Sequence, residues 1–261
     1  MYQCILLEKR ESVATITLNR PESGNAFALE SYLEIKRAFE ELGRDEDVRV
    51  IVITGAGKHF SAGGDIHRFK NNIESGAYIR PENVVHAGAM SDAALRCPKP
   101  IVAMINGAAM GAGCSLALAC DFRVVTPKSK LGMAFINMGF SGDTGAIYLL
   151  STILGTARSK ELMALGKPLT GEEAIRLGLA TRLAEEDSLE ETTHALVQEL
   201  LSKPTGAIAC QKRLYYEFFY RDFLQFNLRE ADYMAQCSRT EDHEEAVNAF
   251  LEKRRPSFKG K

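Results

Sequence analysis

The chain has almost no charge excess. Lysine and arginine number 32 against 34 aspartates and glutamates, a net of −2, and no basic stripe interleaved with aromatics occurs, so no nucleic-acid footprint is expected. No apolar run reaches the roughly 18 to 20 uncharged residues that a membrane-crossing helix needs, so no membrane partner is expected either. The six cysteines, at 4, 97, 114, 120, 210 and 237, include no C-x-x-C pair. They sit mostly in apolar stretches, which points to reduced core residues in a cytoplasmic chain and to no metal. The five histidines show no ligand or triad spacing. The start, MYQCILLEKRE, mixes acids with bases and passes straight into strand-like sequence, so no signal or transit peptide is expected there. No internal repeat or low-complexity tract is found.

What is present is ordinary for a globular protein: 46% hydrophobic and 25% charged over 261 residues, enough for one large α/β domain with a helical appendage. Residues 5–8 and 13–19 predict an opening hairpin across Arg10-Glu11-Ser12. A helix over about 29–42 is expected to bury Leu33, Ala38, Phe39 and Leu42. Residues 48–54, VRVIVIT, are β-branched with little polar alternation, the pattern of an interior parallel strand covered on both faces. Residues 70–83, with Gly76 and Pro81, predict a mobile loop, either an active-site lid or a surface excursion. A helix over about 84–96 follows. Beyond Pro204 three helices are expected, at about 208–220, 222–237 and 241–254, and the loss of strands marks a C-terminal subdomain near residue 200. The basic tail from Lys253 to Lys261 reads as a solvated helix end.

Two stretches carry candidate chemistry. Residues 99–125, KPIVAMINGAAMGAGCSLALACDFRVV, read as a buried strand at 101–105, a small-residue turn at Gly111-Ala112-Gly113, and a helix start. Residues 55–66 repeat the theme, ending in Ser61-Ala62-Gly63-Gly64-Asp65-Ile66. A helix start offers unpaired N–H groups and a positive dipole end to an oxyanion, and small residues let a ligand approach the backbone. A tightly packed corner without ligand fits either turn alone. Two such turns could supply the two donors of an oxyanion hole. The second stretch, residues 130–145, KLGMAFINMGFSGDTG, is apolar and glycine-broken, and beyond Lys130 its one ionisable residue is Asp143. Asp143 reads either as the N-cap of a helix over 144–154 or as a poised carboxylate in an apolar wall. Asp65 reads as the cap of a helix beginning at Ile66.

These residues carry a resemblance along essentially the whole chain. Asn19-Arg20-Pro21 with Asn25-Ala26, Phe60-Ser61-Ala62-Gly63-Gly64-Asp65-Ile66, Lys99-Pro100, Asn106-Gly107-x-Ala109-x-Gly111-Ala112-Gly113, Cys120-Asp121 and Ala249-Phe250-Leu251-Glu252-Lys253-Arg254 together resemble the enoyl-CoA hydratase/isomerase (crotonase) family. The resemblance implies an α/β spiral of ββα repeats over residues 1–200 and a C-terminal helical oligomerisation subdomain over 201–261, assembling as a homotrimer or dimer of trimers. It implies an acyl-CoA thioester as substrate and no separate cofactor. The matching oxyanion-hole donors are the backbone N–H groups of Gly64 and Ala112. Ala26, Ala62, Gly64, Asp65, Ile66, Gly111 and Phe135 match substrate-binding positions, with the backbone around Ala62 at the adenine. His67 adjoins this pocket and reads either as a surface or core residue or as a contact to the CoA phosphates. Phe250 and Lys253 match positions that reach a neighbouring subunit's CoA.

The departures from the family pattern bear on the reaction. Family hydratases carry two glutamates where this chain has Ser115 and Phe135, so two-carboxylate hydration is not expected. Asp143 matches the aspartate of double-bond isomerases, while the second acid of the dienoyl enzymes is replaced by Phe135. The leading expectation is an isomerase in which Asp143 alone moves the proton and the oxyanion hole holds the dienolate. The string Gly142-Asp143-Thr144 also resembles 4-chlorobenzoyl-CoA dehalogenases, but their histidine and tryptophan partners are missing. This chain has no tryptophan, and His86 falls two places early. A family member that binds acyl-CoA without chemistry is the remaining alternative.

Overall fold

The computed structural model describes residues 2–261. The expected hairpin forms from β1 (Ile5–Arg10) and β2 (Val13–Leu18), with Ala14, Ile16 and Leu18 turned into the core. Helix α1 (Leu29–Arg44) buries Tyr32, Ile35, Ala38, Phe39 and Leu42. Leu33, expected on that face, is exposed, because the stripe is led by Tyr32 and Ile35 and position 33 falls outside it. Strand β3 (Val50–Gly55) is buried at every residue. Ile51 and Ile53 join the main core and Val50 and Val52 join a second, smaller one, which is why the run shows no polar alternation.

Next come α2 (Ile66–Glu74) and α3 (Pro81–Arg96), so the irregular stretch expected at 70–83 shrinks to residues 75–80. Pro81 begins α3 where it seemed to mark a loop. Proline's fixed φ and missing N–H suit the first position of a helix. The chain continues through β4 (Ile101–Met104), β5 (Ala108–Met110), α4 (Ala112–Ala119), β6 (Phe122–Val125) and β7 (Lys130–Gly132). A 3-10 turn at Ala134–Met138 leads into α5 (Ala146–Leu165), which is broken at Gly155. Then follow β8 (Leu169–Thr170), α6 (Gly171–Leu177), β9 (Arg182–Leu183) and α7 (Leu189–Leu201), and last α8 (Thr205–Phe219), α9 (Phe223–Cys237) and α10 (Glu241–Leu251).

The main sheet has the order β1-β2-β3-β4-β6-β9, parallel from β2 onward. A second sheet, β5-β7-β8, is extended by isolated parallel bridges between Phe27 and Gly64 and between Ser61 and Ala109. After each of β2, β3, β4 and β6 the chain therefore makes a second short extended segment that pairs with that of the next turn. This is the spiral of ββα repeats. Helix α7 supplies Leu196, Val197 and Leu200 to the smaller core on the outer face. No described helix is long and apolar enough to cross a membrane.

The C-terminal helices share the main core. Phe223, Ala231, Met234 and Val247 belong to it, with α9 packed on α3 and α10 on α2. The boundary expected near residue 200 is a change of element type, with no break in packing. Cys97, Cys114 and Cys120 are buried as expected, and burial pushes the thiols of Cys114 and Cys120 up to about 12. Cys210 on α8 is exposed, against the core reading.

Candidate active site

The two small-residue corners meet. Asn25 ties the first one down: its amide donates to the carbonyls of Ala56 and His59 at 2.9 and 2.7 Å, and its Oδ1 accepts from Arg20 N. Ser61 N–H donates to Ala108 O and Met110 N–H donates to Ser61 O, which stitches the first corner to the second. At the contact Gly63 has φ +92°, and a Cβ there would lie 2.6 Å from Met110 O, so only glycine allows the approach. The neighbouring amides are committed: Asp65 N–H donates to Phe27 O and Gly111 N–H to Gly132 O. The backbone N–H groups of Gly64 and Ala112 have no acceptor among the described residues. Ala112 is the first residue of α4, whose eight residues are all buried, so its amide sits at the positive end of a desolvated helix.

A cavity of about 500 Å³ opens beside these corners. Of the expected substrate-binding residues, Ala26, Ala62, Gly64, Asp65, Ile66, His67, Gly111, Phe135 and Phe250 line it. Asp65 caps α2 as expected, accepting from His67 N at 3.1 Å, and pairs with Arg20 at 3.2 Å. Phe250 lines the cavity of its own chain, because α10 folds back onto α2. Lys253 lies in the exposed tail beyond α10 and does not line this cavity.

Asp143 stands in the same cavity wall, 5% exposed, and its Oδ1 has no hydrogen-bond partner. The N-cap reading fails: α5 begins at Ala146 with Gly145 as cap, and Asp143 contributes its backbone carbonyl to Ala146 N rather than its side chain. Burial raises the Asp143 carboxyl to about 6, opposed by Thr144 and by the positive charge of Arg68. The loop that holds it is strained, with Thr144 at φ +60°. Gly145 has φ +76°, and a Cβ there would meet the Phe223 ring at 2.2 Å.

That close approach brings the start of α9 against the loop, and with it Glu230. The Glu230 carboxylate oxygen Oε2 accepts from Gly145 N–H at 2.7 Å, while Oε1 is buried without a partner. Burial, with the nearby charge of Asp143, pushes this carboxyl up to about 8, so it is neutral at pH 7. Ser115 and Phe135, at the positions expected to lack carboxylates, are both buried, and the Ser115 hydroxyl turns to Gly111 O at 3.3 Å.

Residues 8–261 match the sequence profile described as enoyl-CoA hydratase/isomerase. The chain belongs to the enoyl-CoA hydratase/isomerase family. Its relatives include a trans-2-decenoyl-[acyl-carrier-protein] isomerase from Streptococcus mutans, 31% identical with 98% of each chain covered. A 1,2-epoxyphenylacetyl-CoA isomerase from Escherichia coli is 32% identical with both chains fully covered, and a crotonyl-CoA hydratase from Syntrophomonas wolfei is 32% identical with 98% of each covered. Among solved structures, an enoyl-CoA hydratase from Mycobacterium avium subsp. paratuberculosis superposes with a TM-score of 0.89 at 28% identity, covering 99% of this chain and all of that one. The family fold thus extends to this chain, and both hydratases and isomerases are among its relatives.

Sequence reasoning about this family member missed Glu230, Tyr32 and Arg68, all gathered near Asp143. A signal for the first did exist. Asn227, Glu230, Ala231 and Met234 recur at helical spacing on the buried face of α9, which sets a carboxylate and an amide among apolar positions.

Proposed function

We propose that this chain is an enoyl-CoA isomerase that moves a double bond with one carboxyl group. The thioester carbonyl accepts hydrogen bonds from Gly64 and Ala112. Asp143, ionised, takes a proton from the carbon next to the thioester; the C–H electron pair forms a double bond to the carbonyl carbon and the carbonyl π pair moves onto the oxygen, giving a dienolate conjugated with the original double bond. Two fixed amides stabilise that oxygen most when its charge is greatest, which favours the transition state over the ground state. The same carboxyl then returns the proton two carbons further along, and the double bond comes into conjugation. The cycle is redox-neutral and is completed by the two amides and this one side chain.

The observation that carries this reading is the buried Asp143 carboxyl, its Oδ1 unpartnered, in the wall of the cavity that Gly64 also lines. A carboxyl raised to about 6 is still ionised at pH 7 yet basic enough to shuttle a proton. Hydration would require a second group to activate water. Ser115 and Phe135 offer none, and burial keeps Glu230 neutral despite the hydrogen bond it accepts from Gly145 N–H. CoA is read as running past Ala26, Ala62 and Asp65 to His67. A homotrimer or dimer of trimers is supported by the exposed apolar stripe Leu214, Tyr215, Phe218 and Phe219 on α8.

The test is incubation with 3-hexenoyl-CoA in D2O followed by mass spectrometry. The expected outcome is conversion to the 2-enoyl isomer with deuterium incorporated, lost in Asp143→Asn. Full activity of that variant, or a product heavier by one water, would refute the proposal.

A further inference from the structure

Asp143 and Met234 form a partition between two chambers. On one side is the large cavity of the thioester corners, walled here by Phe69, Phe135, Phe140 and Met138. On the other is a smaller chamber of about 220 Å³ between α1, α2 and α3. Its lining has a different character: Tyr32 from α1, Arg68 and Asn72 from α2, Tyr78 and Arg80 from the 75–80 connection, and Asn83 from α3. Apart from Asp143 itself, every ionisable side chain facing it is an arginine or a tyrosine.

Three of these groups are unspent. The Tyr32 hydroxyl lies on a residue only 2% exposed and has no hydrogen-bond partner. Arg68 is half-buried and Arg80 exposed, and neither guanidinium has an ion pair or a side-chain hydrogen bond among the described residues. Arg68 only approaches the Phe69 ring, 5.5 Å from its centroid. A buried phenol and a sheltered arginine left without acceptors are costly for the fold alone, and they suit a ligand that brings an anionic acceptor. An acyl chain whose thioester lies at Gly64 and whose reacting carbons lie at Asp143 would bring its far end into this chamber by passing between Asp143 and Met234, which line both cavities.

We propose that the acyl group of the substrate ends in a carboxylate, held in the smaller chamber by Arg68 and the Tyr32 hydroxyl, so that the substrate class is the mono-CoA thioester of a short unsaturated dicarboxylic acid. This rests on the isomerase reading for the position of the reacting carbons. Arg68 then has two tasks, since its charge also offsets the repulsion between the distal carboxylate and ionised Asp143.

The test uses calorimetric binding of adipyl-CoA and hexanoyl-CoA, saturated thioesters of equal chain length that differ in the terminal carboxylate. The intact chain is compared with Arg68→Gln and Tyr32→Phe, each checked for a cooperative thermal unfolding transition no lower than the parent's. The expected result is that adipyl-CoA binds on the order of tenfold tighter or more, the ratio one charge-assisted hydrogen bond supplies, with the preference reduced in both variants and hexanoyl-CoA affinity little changed. Equal binding of the two thioesters, or a preference that survives both substitutions, would overturn the proposal. Neither ligand can isomerise, so a failure of deuterium exchange with 3-enoyl substrates would count against the isomerase reading and leave this comparison standing.

Discussion

Glu230→Gln isolates the most unusual electrostatic feature of the site. The folded chain holds this carboxyl near 8, whereas an unperturbed glutamate titrates at 4.5. Between those two values the native state binds a proton that the unfolded chain has released, so stability is present in full below about 4.5 and falls as pH rises. Each unit of that gap is worth about 1.4 kcal/mol, so the window of 3.5 units amounts to about 5 kcal/mol at full titration. Asp143, raised from 3.8 to about 6, loses stability in the same direction over a lower and narrower window. Glutamine keeps a carbonyl to accept from Gly145 N–H and removes only the titration. Urea unfolding at fixed protein concentration, from pH 5 to pH 8.5, is therefore expected to show the variant gaining on the parent by several kcal/mol toward high pH. Its offset at pH 5 reflects the amide's own contacts and does not bear on the argument. Parallel stability curves for the two proteins would refute it, since they would mean that Glu230 is solvated or paired and ionises normally.

The remaining expectations concern the corners and the base. For the intact enzyme, kcat/KM should rise with pH through an inflection near 6 as Asp143 ionises, and Asp143→Asn should lower kcat by at least about a thousandfold, within the range of general acid–base catalysis, with the fold retained by circular dichroism. Gly63→Ala should destabilise by roughly 1–3 kcal/mol and also depress kcat, because its methyl would press on Met110 O at φ +92° and force the two donor corners apart. Tyr32→Phe should be more stable than the parent in the absence of ligand by about 1 to 3 kcal/mol, measured by thermal or urea unfolding, since it deletes a buried hydroxyl that no protein group satisfies.

Much of the frame is legible along the chain because it depends on local chemistry. The apolar run of β3, the alternation of β2 and the small-residue corners at Gly64 and Ala112 each follow from a few consecutive residues. Where the reading failed, local and tertiary preferences competed. Residues 70–74 look like loop because their polar side chains face water, yet they complete α2, in which Lys70 and Glu74 pair at 3.4 Å. Asp143 looks like a helix cap because aspartate before a helical run usually is one, but the left-handed turn at Thr144-Gly145 carries the helix start past it and leaves the carboxyl facing the cavity.

The chain alone thus marked the two small-residue corners and the isolation of one acid, since a backbone amide is placed by the turn that contains it, while the spiral followed from the family resemblance. Packing decided how basic that acid is, which carboxyl it faces, whose cavity Phe250 lines and what stands behind Met234. Those properties arise from desolvation and charge acting across space between residues 32, 68, 143 and 230, which are remote in sequence and become neighbours only when α1, α2 and α9 close around the loop.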